Sequence, residues 1–457
     1  GNKGTRLHDA STILPRCLPR QAMESRNTRG TIMPIMADIQ PRTTCRISGE
    51  PLVPLFSLGD LYLSDFLPEG HEPRLGKVPL ELMLAPESGL VQLAHTPSFD
   101  DMYREYWYKS GTNDTMTREL EDIAKKAQKY VPLDADDVYV DIGCNDGTLL
   151  SFVDPKATRI GFDPAQNGYK ELSQKHANLI VEDYFSAAAY DASPYASKRA
   201  KIITSIAMFY DLEDPNAFVK DIDRVLDPEG LWILQMSYTP LMLAQLAFDN
   251  ICHEHLEYYT LYSLTYLLER NGMRVVDVEL NDVNGGSFRV YIRKASADPT
   301  RFGTAPLRDV AQFRIDSLRA LEEKQDLRNP ETYLSFYRKA LELKQQTLDF
   351  ITTEKAKGKK IWGYGASTKG NTLLQWFGLD ATLIDGIAER QPSKFGLVTV
   401  GTNIPIASEE DMRAAKPDYL LVLPWHFISE FKRREHAFLE EGGAFIVPCP
   451  RFEVIKD

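Results

Sequence analysis

The stretch Val140–Gly147, with the sequence VDIGCNDG, decides the fold prediction for this chain. It overlaps the run Val138–Ile142, which is short, apolar and β-branched, as is typical of a buried strand. Gly143 and Gly147 follow at once and allow the backbone to approach a ligand closely. The apolar residues after Gly147 then predict the start of a helix. A dinucleotide site prefers G-x-G-x-x-G, whereas the order here is D-x-G-x-x-x-G. An ordinary turn between strand and helix is therefore the alternative interpretation.

A regular alternation of strands and helices follows this stretch. Further short strands are predicted within Arg159–Pro164 and Leu179–Phe185, each with an acidic exit, and at Ala200–Ile206 and Gly230–Met236, with a helix at Val219–Leu226. Such alternation predicts a mostly parallel sheet, and ligands of parallel sheets bind beyond the carboxyl ends of the strands. Asp163, about twenty residues after Gly143, ends one of these strands, and Asp183 follows another. A carboxylate at such a position suits a ribose diol, although each acid could instead cap a helix.

The D-x-G-x-x-x-G order resembles the S-adenosylmethionine (SAM) loop of Rossmann-like methyltransferases. With the two acids downstream, this resemblance implies SAM as the cofactor. The residues expected to bind it are Asp141, Gly143, Cys144, Gly147, Asp163, Pro164, Asp183, Tyr184, Ala207 and Ser110.

Length and composition limit the class of protein. A chain of 457 residues with 43% hydrophobic residues predicts two or three domains with real cores. The net charge of −12 argues against a general nucleic-acid binder. Five scattered cysteines without a C-x-x-C pair favour a reducing cytoplasm. The uncharged stretch 230–248 contains several polar residues and a proline, so we expect no membrane span there.

The region from about residue 39 to 100 predicts a small β-rich module. Its turns resemble those of the nucleotide-sugar (NDP-hexose) C-methyltransferases, in which two C-x-x-C pairs bind structural zinc. Here Cys45 is kept, and the other three positions are Ser48, Ala85 and Ser88. Because a structural zinc site needs about four N or S ligands, we expect no metal in this module. A site built from Cys45 and His71 is a disfavoured alternative.

An aromatic-rich segment, Tyr103–Met116, precedes a predicted amphipathic helix at Leu120–Tyr130. Aromatic residues at this density are often part of a core. The family has a comparable Tyr–Ser–Gly stretch at the mouth of the methyl-donor pocket, and this resemblance implies that Tyr108 and Ser110 are pocket residues, with Tyr108 in the catalytic set.

The segment Cys252–Tyr258 contains two histidines that flank a glutamate. A His-x-His metal site lacks a third obvious ligand, whereas a histidine beside a carboxylate suits acid–base catalysis near neutral pH. The family has a very similar H-E-H-x-x-Y stretch, in which the second histidine removes a proton from the sugar carbon next to a keto group. The resemblance implies that His255 is the base and that Glu254 and His253 complete the catalytic set. Some members have tyrosine in place of Cys252, so the hydrogen-bond donor to the enolate oxygen is left open.

The rest of the chain supplies the expected substrate residues. Two strands, Met273–Leu280 and Gly286–Arg293, are joined by a turn suited to Asn-Gly, and residues from about 305 to 356 are helical in pattern. A second strand–glycine–helix unit begins at Lys360 and suits a phosphate at a helix N-terminus, which on its own also suits a dinucleotide. The family has the same G-Y-G-A-x-x-K-G and L-P-W motifs in its C-terminal domain, where they help to hold the nucleotide-sugar. The residues expected to bind the substrate are Cys252, Asn284, Ser287, Arg289, Tyr364, Lys369 and His426.

The sequence thus predicts an α/β protein with a Rossmann-like SAM-methyltransferase domain between a β-rich N-terminal module and a second Rossmann-like domain. The expected boundaries are 1–38 (disordered leader or tag), 39–100 (N-terminal module), 101–300 (methyltransferase), 301–356 (helical connector) and 357–457 (C-terminal domain). The resemblance implies C-methylation of a nucleotide-linked keto-deoxysugar. Composition and the missing zinc ligands add the expectations of no nucleic-acid or membrane partner, no metal, and a cytoplasmic location. O- or N-methylation, an inactive binding protein and an NAD-dependent oxidoreductase are the alternatives.

Overall fold

A computed structural model describes residues 39–103, 109–112, 114–165 and 168–456 of the chain. These residues contain three sheets of four, seven and six strands and one further pair of strands. The predicted α/β fold class, with two Rossmann-like domains and a β-rich N-terminal module, is confirmed.

The strands are β1 (Val53–Leu61), β2 (Phe66–Pro68), β3 (Val78–Leu84), β4 (Val91–Leu93), β5 (Val138–Ile142), β6 (Thr158–Phe162), β7 (Leu179–Val181), β8 (Ala200–Ile206), β9 (Leu226–Ser237), β10 (Glu257–Tyr258), β11 (Met273–Asn281), β12 (Ser287–Lys294), β13 (Ile361–Tyr364), β14 (Gly386–Glu389), β15 (Leu397–Thr399), β16 (Ile406–Ser408), β17 (Tyr419–Val422), β18 (Ala444–Val447) and β19 (Glu453–Ile455).

The helices are α1 (Phe99–Tyr103), α2 (Asp114–Tyr130), α3 (Tyr169–Ser173), α4 (Ala187–Asp191), α5 (Pro215–Val225), α6 (Thr239–Ala244), α7 (Leu261–Arg270), α8 (Ala305–Gln325), α9 (Pro330–Ala356), α10 (Thr368–Phe377), α11 (Glu409–Ala415), α12 (Ile428–Arg434) and α13 (His436–Glu440). None of the helices in the described ranges is both long enough and apolar enough to cross a membrane.

The seven-stranded sheet has the order β11-β12-β9-β8-β5-β6-β7. Its five strands from β5 to β9 run parallel, and all five side chains of β5 are buried, as expected of a strand covered on both faces. The chain moves from β5 to β6 and β7 on one side, and then returns to place β8 on the other side of β5. This reversal opens a crevice at the carboxyl ends of β5 and β8, where an open parallel sheet binds its ligand.

The expected helix after Gly147 is not formed. Leu150–Phe152 makes a single 3₁₀ turn, and β6 begins at Thr158. Val153 already has an extended backbone and Pro155 follows closely, so the connection is too short and too irregular for an α-helix. Gly147 itself packs against α3, because a Cβ there would lie 2.7 Å from the Ser173 Cα atom.

The N-terminal module is a four-stranded antiparallel sheet, β1-β3-β4-β10. Its two turns are joined by hydrogen bonds at the positions compared with zinc ligands. Glu50 accepts from the backbone N–H groups of Glu87 (2.7 Å) and Ser88 (2.8 Å), while Cys45 Sγ lies 3.4 Å from Ser88 Oγ and accepts from Gln92 (3.3 Å). Within the described residues, no group of three or more His, Cys, Asp or Glu side chains is arranged to hold a metal ion.

The C-terminal sheet has the order β16-β14-β13-β17-β18-β19, with β19 alone antiparallel. Its strand order also reverses beside the first strand, so a second crevice opens between β13 and β17. Two long helices, α8 and α9, connect the two parallel sheets. The pair β2 and β15 joins the N-terminal region to the C-terminal domain, and their backbones pair at Val398 and Leu67.

The packing around Gly161 in β6 generates a stability prediction. A Cβ at this position would lie 2.6 Å from Cys144 Sγ and 2.7 Å from Ile180 Cδ1, so Gly161→Ala must displace these two buried side chains. We expect a loss of about 1–3 kcal/mol in the free energy of unfolding, since overpacking a core costs this much. Chemical denaturation measures the loss. The double variant Cys144→Ala/Gly161→Ala should recover part of it, and equal stability of the single variant and the unmodified protein would contradict the packing.

Candidate active site

One cavity of about 630 Å³ lies at the carboxyl ends of β5 to β8 and extends to the start of α10 in the C-terminal domain. Most of the residues predicted from the sequence line it. These are Ser110, Asp141, Gly143, Cys144, Asp163, Pro164, Asp183, Tyr184, Ala207, Cys252, Glu254, His255, Asn284, Lys369 and His426. The two distant sequence motifs, after β5 and before β10, therefore meet in a single cavity.

Three of the expected substrate residues are placed elsewhere. Arg289 is buried beside α2 and forms ion pairs with Glu119 (2.7 Å) and Asp122 (2.8 Å). The Ser287 hydroxyl donates to the carbonyl of Val283. Their side chains hold the β11–β12 turn and its neighbours in place, and they do not line the cavity.

Tyr364 is likewise turned away from the cavity. Its hydroxyl lies 2.7 Å from Glu435 and 3.1 Å from Glu409, within the C-terminal domain. Gly147, expected to bind the cofactor, packs on α3 as described above and is not part of the lining. The expected catalytic residue Tyr108 lies outside the described residues.

His253 does not reach the cavity either. It is buried, and its Nε2 lies 3.0 Å from the carbonyl oxygen of Val78, the first residue of β3. Burial lowers the pKa of His253 to about 4, so the imidazole is neutral and its Nε2–H donates to that carbonyl. The first histidine of the H-E-H stretch thus anchors this segment to the N-terminal sheet, and the catalytic role expected for it has no support in the structure.

The acid at the end of β6 is oriented by the turn after β5. The two carboxylate oxygens of Asp163 accept from the backbone N–H groups of Asn145 and Ala165, each at 2.8 Å. Asn145 reaches this position with a left-handed backbone (φ +51°), which asparagine tolerates better than most residues. Burial raises the pKa of Asp163. The remaining lone pairs of this fixed carboxyl group are suited to accepting hydroxyl hydrogens from a sugar.

The mouth of this part of the cavity is held by a short turn before α2. Ser110 donates its backbone N–H to Asn145 Oδ1 (3.0 Å), and Gly111 donates to Asp146 Oδ2 (2.8 Å). The predicted pocket residue Ser110 is therefore hydrogen-bonded to the turn after β5, which also positions Asp163.

Asp141 lies deeper, at the carboxyl half of β5. It is 3% exposed and accepts a hydrogen bond of 2.6 Å from Thr204 Oγ1 on the neighbouring strand β8. Burial raises the pKa of Asp141 to about 7, and the nearby Asp163 adds to this effect. The charge of Asp141 therefore changes near neutral pH.

His255 lies in the other half of the cavity, on the segment between α6 and β10. Its Nδ1 lies 2.8 Å from the carbonyl oxygen of Asn250, and its ring is in edge contact with Tyr210 at 4.3 Å between centroids. Burial lowers the pKa of His255 to about 3, helped by the positive charge of Lys369. The ring is therefore neutral, and since a carbonyl can only accept, the proton is on Nδ1. The Nε2 lone pair is left to act as a base.

Burial acts on two neighbours of His255. Glu254 and Cys252 both line the cavity, and burial raises the pKa of each. Burial thus favours the protonated form of Glu254, whose O–H group can donate a hydrogen bond to a sugar hydroxyl or keto oxygen.

Several lining residues are not evident from sequence motifs. Tyr210, Met208 and Phe218 lie just after β8 and on α5, and Phe427 comes from the C-terminal domain. Tyr210 comes shortly after the predicted strand Ala200–Ile206. Because ligands bind beyond the ends of such strands, its position in the sequence could have indicated that it lines the cavity. No comparable signal marks Phe427, because its proximity depends on how the C-terminal domain packs.

The second Rossmann-like crevice is closed where a dinucleotide would bind. Glu389, at the end of β14, accepts from the backbone N–H of Ala366 (3.1 Å), and Lys394 donates to the carbonyl of Ala366 (2.7 Å). Lys394 is only 7% exposed. These contacts occupy the glycine-rich turn, whereas Ser367, Thr368 and Lys369 face the main cavity.

The residues in the cavity fit SAM. Asp163 is oriented to accept from ribose hydroxyls, and Asp183, Tyr184 and Phe185 lie beside it at the end of β7, where an adenine ring can pack. The buried Asp141 supplies a carboxyl group that favours a cationic ligand.

Comparisons with known proteins agree with this geometry. Residues 113–278 match a family model described as a methyltransferase domain, and residues 282–450 match one described as a C-methyltransferase C-terminal domain. C-methyltransferase NovU from Streptomyces niveus is 28% identical over 422 residues, which cover 92% of this chain and 98% of the relative.

Solved structures resemble part of the chain. The plantazolicin methyltransferase BpumL in complex with SAH is 15% identical and covers 40% of this chain and 86% of its own, with a TM-score of 0.32. The N-methyltransferase NodS from Bradyrhizobium japonicum WM9 is 11% identical and covers 40% of this chain and 98% of its own, with a TM-score of 0.31.

The chain is thus similar over most of its length to C-methyltransferases, with a match to a methyltransferase domain followed by a match to a C-methyltransferase C-terminal domain. It is a methyltransferase, and its cofactor is SAM.

The raised pKa of Asp141 predicts how SAM binding depends on pH. Below about pH 7 the carboxyl group is mostly neutral, and above it the carboxylate attracts the positive charge of SAM. We expect the dissociation constant of SAM to fall by up to about tenfold between pH 6 and pH 8. Isothermal titration calorimetry measures this change. S-adenosylhomocysteine, without the sulfonium charge, and the Asp141→Asn variant should both show a flatter profile; equal slopes for all three would contradict the assignment.

Proposed function

We propose that this methyltransferase transfers the methyl group of SAM to a carbon next to the keto group of a nucleotide-linked deoxysugar, by way of an enolate. The observation that supports this most directly is the state of His255. A neutral imidazole, with Nδ1 bonded to the Asn250 carbonyl and Nε2 unprotonated in the same cavity as the SAM-binding residues, is arranged to remove a proton.

The proposed first step is a proton transfer to His255. Nε2 takes the proton from the carbon beside the keto group, the C–H electron pair forms a C=C bond, and the carbonyl π pair moves to the oxygen. His255 then has protons on both nitrogens, and the Asn250 carbonyl keeps accepting from Nδ1. When bound, SAM supplies an electrophilic methyl group, which the enolate carbon takes while the C–S electron pair stays on sulfur.

The C-terminal domain supports a nucleotide-sugar as the acceptor. The start of α10 faces the cavity, and the N-terminus of a ten-residue helix offers unpaired N–H groups and a partial positive charge to a phosphate. The closed crevice at Lys394 and Glu389 leaves the main cavity as the place for this phosphate. The match of residues 282–450 to a C-methyltransferase C-terminal domain and the name of the relative NovU favour carbon as the methylated atom.

Replacement of His255 tests the base. His255→Asn removes Nε2 as a base, and we expect the methylation rate to fall by about 10²–10⁴, the usual contribution of general-base catalysis. Hydrogen–deuterium exchange at the carbon next to the keto group, followed in D₂O by NMR, should fall in parallel.

His253→Gln is the matched control, because His253 is next but one to the base and lies outside the cavity lining. It should lose stability through the lost bond to Val78, by about 1–3 kcal/mol, and keep its exchange rate per folded molecule. Exchange that depends on His253 and not on His255 would refute the assignment.

The pH profile gives a second test of the same group. Because the pKa of His255 is lowered to about 3, its neutral form is present at every pH above about 4. At saturating SAM we therefore expect kcat/KM for the acceptor to show no acidic limb from this histidine between pH 5 and 8, since kcat/KM reports the free enzyme. A midpoint near the ordinary histidine value of about 6.5 would contradict the lowered pKa.

The acceptor class is tested with a panel of nucleotide-linked keto-deoxysugars. Mass spectrometry after incubation with SAM should find one added methyl group, and NMR should place it on carbon. A methyl group found on oxygen or nitrogen would replace this proposal by the O- or N-methylation alternative on the same scaffold.

A further inference from the structure

Lys369 of the C-terminal domain is tied to the same residue as the proposed base. Its ammonium group donates to Oδ1 of Asn250, and the backbone carbonyl of Asn250 accepts from His255 Nδ1 at 2.8 Å. One asparagine therefore holds a cation and a neutral base side by side, although the two come from different domains.

The charge of Lys369 is not matched by an ion pair in the described part of the chain. No carboxylate oxygen there lies within 4.0 Å of Nζ, and the hydrogen bond to Asn250 joins it to a neutral amide. Among the described residues that line the cavity, Lys369 is the single lysine or arginine. A half-buried ammonium group that faces the cavity without an ion pair is suited to meet an anion there, and its charge already opposes the rise that burial causes in the pKa of Asp249.

Neighbouring groups show how far this charge acts. Burial is the main cause that lowers the pKa of His255 to about 3, and the positive charge of Lys369 is the second. The same two causes lower the pKa of His426. Because a field that disfavours a positive charge on His255 favours a negative charge close by, an oxyanion beside the base would be stabilised.

Cys252 is poorly suited to stabilise the enolate oxygen. Burial raises the pKa of its thiol well above the ordinary value, and Sγ lies 3.8 Å from the carbonyl oxygen of Asn250, to which it donates. A weak donor that is already engaged adds little to an oxyanion.

We propose that Lys369 donates a hydrogen bond to the developing enolate oxygen and stabilises its negative charge during the proton transfer to His255. This inference rests on the proposed function and adds a catalytic residue to it. The oxygen gains the charge as the carbonyl π pair moves onto it, and the ammonium group keeps its three protons throughout. The alternative role for Lys369 is to bind the diphosphate of the acceptor, and the two roles predict different results.

The test compares Lys369→Met and Lys369→Arg with Lys432→Met, an exposed lysine of α12 in the same domain. Removing an oxyanion donor typically lowers kcat by about 10²–10³. In Lys369→Met we expect the deuterium exchange rate and kcat to fall by about this factor, with the dissociation constant of the nucleotide-sugar changed less than about threefold. Lys369→Arg should recover part of the rate, and Lys432→Met should match the unmodified enzyme.

Thermal melting shows whether each variant is folded, and the exchange assay needs no methyl transfer. Exchange at the full rate in folded Lys369→Met would overturn the inference, as would a large loss of affinity for a nucleoside diphosphate alone with exchange unchanged at saturation. If the unmodified enzyme exchanged no proton of any keto-sugar in the panel, the proposed function would fail, and this inference with it.

Discussion

The parallel pairing of β5 with both β6 and β8 is the constraint on which the active site depends. The reversal of strand order beside β5 leaves an open crevice at the carboxyl ends, and the lining residues at the ends of β5, β6, β7 and β8 follow from it. The C-terminal sheet repeats this reversal at β13, and the α10 turn beside it faces the same cavity. Two sheets built by the same rule thus open toward one space, and we propose that the second of them serves the acceptor.

Asn250 joins the chemistry of these two halves. Its carbonyl sets the tautomer of His255, and its side chain meets the ammonium group of Lys369. Neither contact involves a negatively charged group, so His255, the proposed base, stays neutral, and Lys369 forms no ion pair within the described residues. Burial also raises the pKa values of Glu254, Asp249 and the Cys252 thiol, and so disfavours their charged forms. In the half of the cavity around His255, which we propose binds the acceptor, burial strengthens electrostatic interactions, so the positive charge of Lys369 has a larger effect than it would have in water.

Much of this arrangement could be predicted from local sequence. The strands of the SAM domain and the acids that end them follow from short apolar runs, and Asp141, Asp163 and His255 all reach the cavity. Apart from Ser287, which bonds to the nearby Val283, the misplaced substrate residues have partners that are distant in sequence. Arg289 and Tyr364 looked like ligand residues, but each meets carboxylates on helices that only the folded chain brings close. The absent helix after Gly147 reflects a connection too short for one, which a glycine pattern cannot reveal.

The two-residue strand β10 has a consequence for how the protein can be divided. It pairs with β4, so the segment with the base becomes an edge of the N-terminal sheet, and His253 adds a bond to β3. At its other end the same segment is tied through Asn250 to the C-terminal domain. Three domains therefore contact this segment, and each of them fixes part of its backbone path. A chimera that exchanged the Rossmann-like domain alone would inherit the cofactor pocket and lose the position of the base.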